Sequence, residues 1–174
     1  IIVRLIILYS LNEVNSNQKQ EDKLMKKLPP IQKILEAYTA IVDNHVNLTE
    51  NEAKVTSSNG AKTYTVSWEN DVYHSNDNAT YWQGYAGYPV IAVLMLQGKL
   101  PFNQKLADNF KAVNWNEINL SFKRNYAKAA TEVIEEKGLN ENEVMAELEV
   151  VYENLKKLPI TIKRGSLRPP KARK

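Results

Sequence analysis

The chain has 174 residues, 43% of them hydrophobic and 25% charged, which predicts one globular domain with its own core. It contains no cysteine and only two histidines, which excludes a disulfide framework, a thiolate zinc site, a cysteine nucleophile and a histidine-rich metal site. The net charge of +3 is unevenly spread, because the last nineteen residues carry +8 and the other 155 carry −5. The lack of cysteine fits a reducing compartment, so we expect a cytoplasmic protein.

Residues 1–28 are predicted to be an N-terminal extension. Residues 1–9 are mostly apolar but include Arg4, and they are far shorter than the roughly 20 residues of a membrane span. Two interpretations stay open. Residues 1–9 form a buried edge strand, or Met25 is the natural start and residues 1–24 are not native.

A first helix is predicted to begin at Pro29 and Pro30, because proline is tolerated in the first turn of a helix. Its apolar positions recur at helical spacing, and its opposite face, expected to be solvated, carries Lys33, Glu36 and Asp43. The apolar face comprises Ile31, Ile34, Leu35, Tyr38, Ile41, Val42 and His45.

A β-hairpin is predicted next. Residues 62–68 alternate strictly between polar and apolar, residues 52–57 supply the partner strand, and Asn59-Gly60 supplies the turn. Two strands alone are marginally stable, so a third strand is expected, and residues 1–9 are the obvious donor.

Residues 70–88 are predicted to be a loop that contains a short helix from Asp77 or Asn78 to Tyr85. The side chain of that Asp or Asn is expected to cap the helix. Pro89 then opens a helix that is apolar all round and ends at Gly98, which predicts a central buried helix.

The rest of the body is predicted to be helical. Asn103, Asn114 and Asn140 are in position to cap three helices, the second running on to Gly138 and the third ending before Pro159. The expected fold class is therefore α+β and predominantly helical, with a hairpin packed on a bundle of about five helices. We expect one globular domain over residues 29–158 and a basic flexible tail over residues 159–174.

Residues 68–88 form the best candidate binding segment, since they hold six of the fifteen aromatic residues together with several amides. The alternative is that this segment packs its rings onto its own core. The candidate binding residues are Trp68, Tyr73, Tyr81, Trp82, Tyr85 and Tyr88.

His74 and Asp77 are weak candidates for a catalytic base and its orienting carboxylate, because their spacing allows a hydrogen bond but such pairs are common. The glutamates near the C-terminus have the spacing of solvated helix faces. No cofactor motif and no metal-ligand spacing occurs, so neither a cofactor nor a metal is expected.

The basic tail is the most specific compositional feature, since such extensions neutralise phosphates without needing a fold. Its candidate binding residues are Lys163, Arg164, Arg168, Lys171, Arg173 and Lys174. We therefore expect a non-enzymatic accessory protein that binds nucleic acid through the tail and the aromatic segment. The alternatives are a protein–protein interaction module, a small enzyme with a pocket around His74, or a tail that contacts an acidic protein surface or its own acidic helices. Proximity of the tail to the aromatic segment would favour the first hypothesis.

Overall fold

A computed structural model of the chain describes residues 13–14 and 25–172. The predicted strand of residues 1–9 lies outside the described residues, as do Arg173 and Lys174. None of the described helices is both long and apolar enough to cross a membrane.

The described part of the chain has a mixed α+β fold built around a five-stranded sheet. The strands follow chain order across the sheet, antiparallel from the first to the fourth, and the fifth is parallel to the fourth. Their bounds are β1 Val46–Leu48, β2 Glu52–Thr56, β3 Thr63–Glu69, β4 Val72–Ser75 and β5 Thr161–Arg164. The predicted α+β class is confirmed. The predicted hairpin of two or three strands on a helical bundle is imprecise, because the sheet has five strands.

Six α-helices accompany the sheet between residues 25 and 172. They are α1 Lys33–Val42, α2 Tyr88–Leu96, α3 Gln104–Ala107, α4 Trp115–Ser121, α5 Tyr126–Glu136 and α6 Glu141–Lys157. A π-helical turn spans Ala79–Gln83, and a 3-10 turn spans Asp108–Phe110.

The predicted hairpin is confirmed. β2 and β3 pair from Glu52↔Ser67 to Thr56↔Thr63, and Gly60 takes the positive φ of 71° that the turn requires. Val55 and Val66 are fully buried on the core side of the pair.

The predicted loop of residues 70–88 is wrong over Val72–Ser75, which form β4. Asn70, at a φ of 52°, makes a tight connection that brings Val72 opposite Glu69. The strand is only four residues long, and its two polar residues hide the alternation that identifies a strand in sequence. The short helix predicted to end at Tyr85 is present as the shorter π-helical turn, and Asp77, not Asn78, supplies the capping side chain.

The basic tail contains strand β5, so the segment predicted to be flexible from residue 159 is ordered as far as Arg164. Tyr73 of β4 lies opposite Ile162, and the Gly165 N–H donates to the Ser75 carbonyl at 2.7 Å. Ile160, just before the strand, is buried in the core. The free edge of β4 supplies the hydrogen-bond partners that order this part of the tail.

The predicted central helix is confirmed as α2. Its residues from Pro89 to Met95 are all buried, and the helix packs against α1 as well as against β1, β3 and β4. A helix covered on all sides has no solvated face, which matches its wholly apolar sequence.

The helical half follows the predicted asparagine caps, with one break that was not expected. The side chains of Asn103, Asn114 and Asn140 each accept a backbone N–H three residues later. The predicted single helix from Asn114 to Gly138 is wrong, because Lys123 and Arg124 take positive φ values of 52° and 64° and divide it into α4 and α5.

Candidate functional site

A cavity of about 890 Å³ opens between the outer face of α1, the β2–β3 turn, the π-helical turn and helices α4 and α5. Its lining combines aromatic rings with amides and hydroxyls, and it also includes a few charged groups. Across its rim, the backbone N–H of Asn116 donates to Ser58 Oγ at 3.1 Å, which ties α4 to the hairpin turn.

A buried ion pair forms one wall of this cavity. Lys33 Nζ lies 2.8 Å from Glu36 Oε1, and the two side chains are only 8% and 7% exposed. The same oxygen accepts a hydrogen bond from Asn119 Nδ2 at 3.0 Å, and the Tyr126 ring centroid lies 4.0 Å from Nζ. The expectation that Lys33 and Glu36 face solvent is therefore wrong, because α4 and α5 fold over this face of α1.

The pair holds Lys33 in its charged form. Burial disfavours the ammonium, but the charge of Glu36 and its hydrogen bond outweigh that effect, so the pKa of Lys33 is raised above its usual value. Lys33 and Glu36 therefore present adjacent donor and acceptor groups with no net charge.

Buried hydroxyls lie near the ion pair. Burial, with a smaller effect of the Asp77 charge, raises the pKa of Tyr64 to about 12. Burial also raises the pKa of Tyr88 well above its ordinary value. The Tyr88 hydroxyl and His45 Nδ1, both on residues that line the cavity, are buried and have no hydrogen-bond partner among the described residues. Two residues of the cavity lining therefore carry polar atoms that are covered and whose hydrogen-bonding capacity is unused.

Asp77 organises the π-helical turn that forms the cavity rim. Its Oδ1 accepts hydrogen bonds from the N–H groups of Ala79 and Thr80 at 2.9 and 3.0 Å, and its Oδ2 accepts one from Ser75 Oγ at 2.6 Å. A Cβ atom at Gly87 would lie 2.1 Å from Asp77 Oδ1, so only glycine fits at position 87.

The structure divides the six candidate aromatic residues into three environments. Tyr73 is fully buried in the core, where Trp68 stacks on it at 6.1 Å between ring centroids. Tyr85 and Tyr88 line the cavity. Only Tyr81 and Trp82, both in the π-helical turn, extend away from the core, and Trp82 is 66% exposed. Their rings make an edge-to-face contact with 4.8 Å between the centroids. Trp82 also lines the cavity.

The structure does not bring His74 and Asp77 together as a catalytic pair. Alternation along β4 buries Tyr73 and Ser75 on the core side and leaves the intervening His74 on the other face. His74 Nδ1 lies 3.4 Å from the Arg164 carbonyl oxygen, and His74 does not line the cavity. The Asp77 carboxylate is instead occupied by the π-helical turn and Ser75.

The basic tail runs beside the π-helical turn. The Arg164 guanidinium carbon lies 5.7 Å from the Tyr81 ring centroid, and Asn76 Nδ2 donates to the Arg168 carbonyl at 3.3 Å. Further along, Ala172 lines the cavity. The described candidates of the tail, all exposed, are Lys163, Arg164, Arg168 and Lys171.

Sequence reasoning missed the ion pair of α1. The one available signal was that Lys33 and Glu36 flank the strongly apolar Ile34-Leu35, so that almost the whole of the helix is buried. Among the described residues, no group of three or more histidine, aspartate or glutamate side chains is placed to hold a metal ion.

Comparison with known proteins adds one relationship. Neither a curated protein nor a solved structure matches the chain. The pattern of the family described as uncharacterised conserved protein UCP014422 matches residues 26–161, which is most of the chain and extends from before α1 to the start of β5. This protein therefore belongs to the family of uncharacterised conserved protein UCP014422.

Proposed function

We propose that this protein is a non-enzymatic accessory protein that binds single-stranded nucleic acid. The observation that carries the proposal is the adjacency of the basic tail to the accessible rings of the π-helical turn, with Arg164 5.7 Å from the Tyr81 ring centroid. Proteins that bind single strands without sequence preference combine cations for the phosphates with rings on which bases stack. Here the tail supplies the cations and Trp82 supplies the ring.

The cations of the tail are available to phosphates. Among the described residues, Lys163, Arg164, Arg168 and Lys171 form no ion pair with an acidic side chain, although the rest of the chain is acidic. This supports a tail directed at an external anion over one neutralised by its own helices. A further cation, Lys27, lies beside the π-helical turn, with its Nζ 3.3 Å from Gln83 Oε1 and 5.5 Å from the Tyr85 ring centroid.

The two other functional hypotheses have less support. The cavity beside α1 does not include His74 in its lining, so it gives no support to a pocket around that residue. Of the exposed large apolar residues, Trp82 and Leu120 line the cavity, and the others come from separate segments of the chain: Val14, Leu48, Leu96, Val150 and Leu167.

The proposal is tested by replacing the four described basic residues of the tail with glutamine. Deleting the tail would be a poorer test, because it would also remove β5 from the sheet. The matched control replaces four exposed lysines of the helical half, namely Lys105, Lys111, Lys128 and Lys137. Binding of labelled single-stranded RNA and DNA of about 16 nucleotides is measured by fluorescence anisotropy across about 50–200 mM salt.

We expect the tail variant to bind at least about tenfold more weakly, and its salt slope to fall by up to about 3, because each lost phosphate contact on a single strand contributes about 0.7. The control variant should retain the slope of the natural protein. Equal affinities of the tail variant and the control variant would contradict the proposal, as would a natural protein that binds neither RNA nor DNA.

A further inference from the structure

We propose that the cavity beside α1 is a nucleobase site, which takes the planar ring of a free nucleoside or of an unpaired base in a bound strand. Binding of a free nucleoside does not depend on the proposed function. Binding of an unpaired base in a strand rests on the proposed function, because it requires that the protein bind nucleic acid. The volume of about 890 Å³ lies within the range of about 300–1,000 Å³ that small-molecule sites occupy.

The buried ion pair of the wall indicates that the buried part of the ligand is neutral, while Lys62 and Arg124 line the cavity from more exposed positions. Lys33 and Glu36 are paired at 2.8 Å, so a buried phosphate would meet the Glu36 carboxylate and a buried ammonium would meet Lys33. A group that both donates and accepts hydrogen bonds would meet no such repulsion. The hydrogen-bonding edge of a nucleobase has this character.

The aromatic content of the wall indicates a flat ligand. Tyr64, Tyr85 and Tyr88 line the cavity together with Trp82 at its rim, and they come from β3, the segment after the π-helical turn, and α2. Protein sites hold unpaired bases between such rings while polar side chains read the base edge. The side-chain amides of Asn78 and Asn119, also in the lining, supply further donors and acceptors.

One polar atom marks where the ligand would bond. The Tyr88 hydroxyl is buried without a hydrogen-bond partner among the described residues, although buried hydroxyls are normally satisfied. The hydroxyl has almost no accessible surface, so a base would reach it only after the side chains above it move aside, and the base would then provide the missing partner. The Tyr38 hydroxyl is also buried, but Tyr38 does not line the cavity, and its hydroxyl interacts with the backbone of Asn103.

The rim of the cavity is accessible both to a free nucleoside and to a base of a bound strand. Trp82 lines the cavity and is 66% exposed, and Ala172 of the tail reaches the same lining. A strand whose phosphates follow the tail would therefore pass the opening, while a free nucleoside would enter without needing the tail.

The test compares Tyr88→Phe with Tyr38→Phe in the full chain. Each removes one buried hydroxyl, and only the first removes it from a residue that lines the cavity. Calorimetric titrations use adenosine, guanosine, cytidine and uridine in turn, with ribose as the probe that lacks a base. The same two variants are then titrated with the single-stranded oligonucleotides.

We expect at least one nucleoside to bind the natural protein and ribose not to bind. Tyr88→Phe should weaken nucleoside binding about tenfold, which is the usual effect of one lost hydrogen bond in a site. Tyr38→Phe should bind as the natural protein does. The inference is overturned if no nucleoside binds, if ribose binds as tightly, or if both variants keep full affinity for nucleosides.

The outcomes for the two proposals are separable. Nucleoside binding that depends on Tyr88, without any binding of oligonucleotides, would support the cavity assignment and reject the proposed function. Salt-dependent oligonucleotide binding that requires the basic tail, without any nucleoside binding, would support the proposed function and reject the cavity assignment.

Discussion

At the scale of single residues, the segment from Tyr81 to Pro89 shows how closely this chain is packed around Asp77. Gly87 is required because the Asp77 carboxylate occupies the space where a Cβ atom would lie, and three hydrogen bonds hold that carboxylate in place. Gly60 is required for a different reason. Nothing lies within 4 Å of its would-be Cβ, but its φ is 71°.

Gly87→Ala is expected to lower the free energy of unfolding by about 1–3 kcal/mol, the usual cost of overpacking, because Asp77 cannot move without losing its bonds. In an Asp77→Ala background the same substitution should cost clearly less, since the clashing group is gone. Gly60→Ala should cost about 1–2 kcal/mol in both backgrounds, since only its φ is strained. Urea unfolding of the full set measures these values. An unchanged cost of Gly87→Ala in both backgrounds would contradict the packing explanation.

At the scale of elements, β5 and the residue that leads into it decide whether the end of the chain belongs to the core. Ile160 is 1% exposed and packs with the core cluster, whereas Leu167, seven residues later, is 60% exposed. The boundary between folded body and accessible tail therefore falls after β5, several residues beyond the position at which the charge pattern changes.

Ile160→Ala is expected to lower the free energy of unfolding by about 2–5 kcal/mol, because it leaves a cavity in a packed core. Leu167→Ala should change it by less than about 0.5 kcal/mol, as at other exposed positions. Chemical denaturation of both variants provides the comparison. If Ile160→Ala were as mild as Leu167→Ala, β5 would not be an integral strand of the sheet.

At the scale of the whole molecule, several buried tyrosines couple stability to alkaline pH. Burial raises the pKa of both Tyr38 and Tyr64 to about 12, whereas tyrosine in an unfolded chain ionises near pH 10. A raised pKa means that the folded state holds its protons more tightly than the unfolded state. The resulting stabilisation is complete below about pH 10 and is lost as the pH rises towards about 12.

We therefore expect the free energy of unfolding to decrease steeply from about pH 10 to about pH 12. The double variant Tyr38→Phe and Tyr64→Phe should show a shallower decrease, because two of the titrating groups are gone. Urea titrations at a series of pH values measure the slope. A natural protein and a double variant with the same slope would show that these two phenols do not govern the alkaline response.

Local features of the chain were predictable because their physical causes are local. Asn103, Asn114 and Asn140 cap helices through bonds to residues only three positions away. The alternation around Val66 and the turn at Gly60 specify the hairpin in the same way. The apolar run of α2 likewise indicated a buried helix. None of these inferences needed knowledge of what lies across the molecule.

The tertiary structure alone decided the features that join distant segments. β5 is ordered because Tyr73 lies opposite Ile162, and the solvated face expected for α1 is buried because Asn119 and Tyr126 cover Lys33 and Glu36. The amino-acid sequence by itself determined the acidic body, the basic end and most helices and turns, since these depend on composition and near neighbours. The cavity, the burial of the Lys33–Glu36 ion pair and the adjacency of tail and aromatic rings depend on contacts between residues tens of positions apart, which no local pattern encodes.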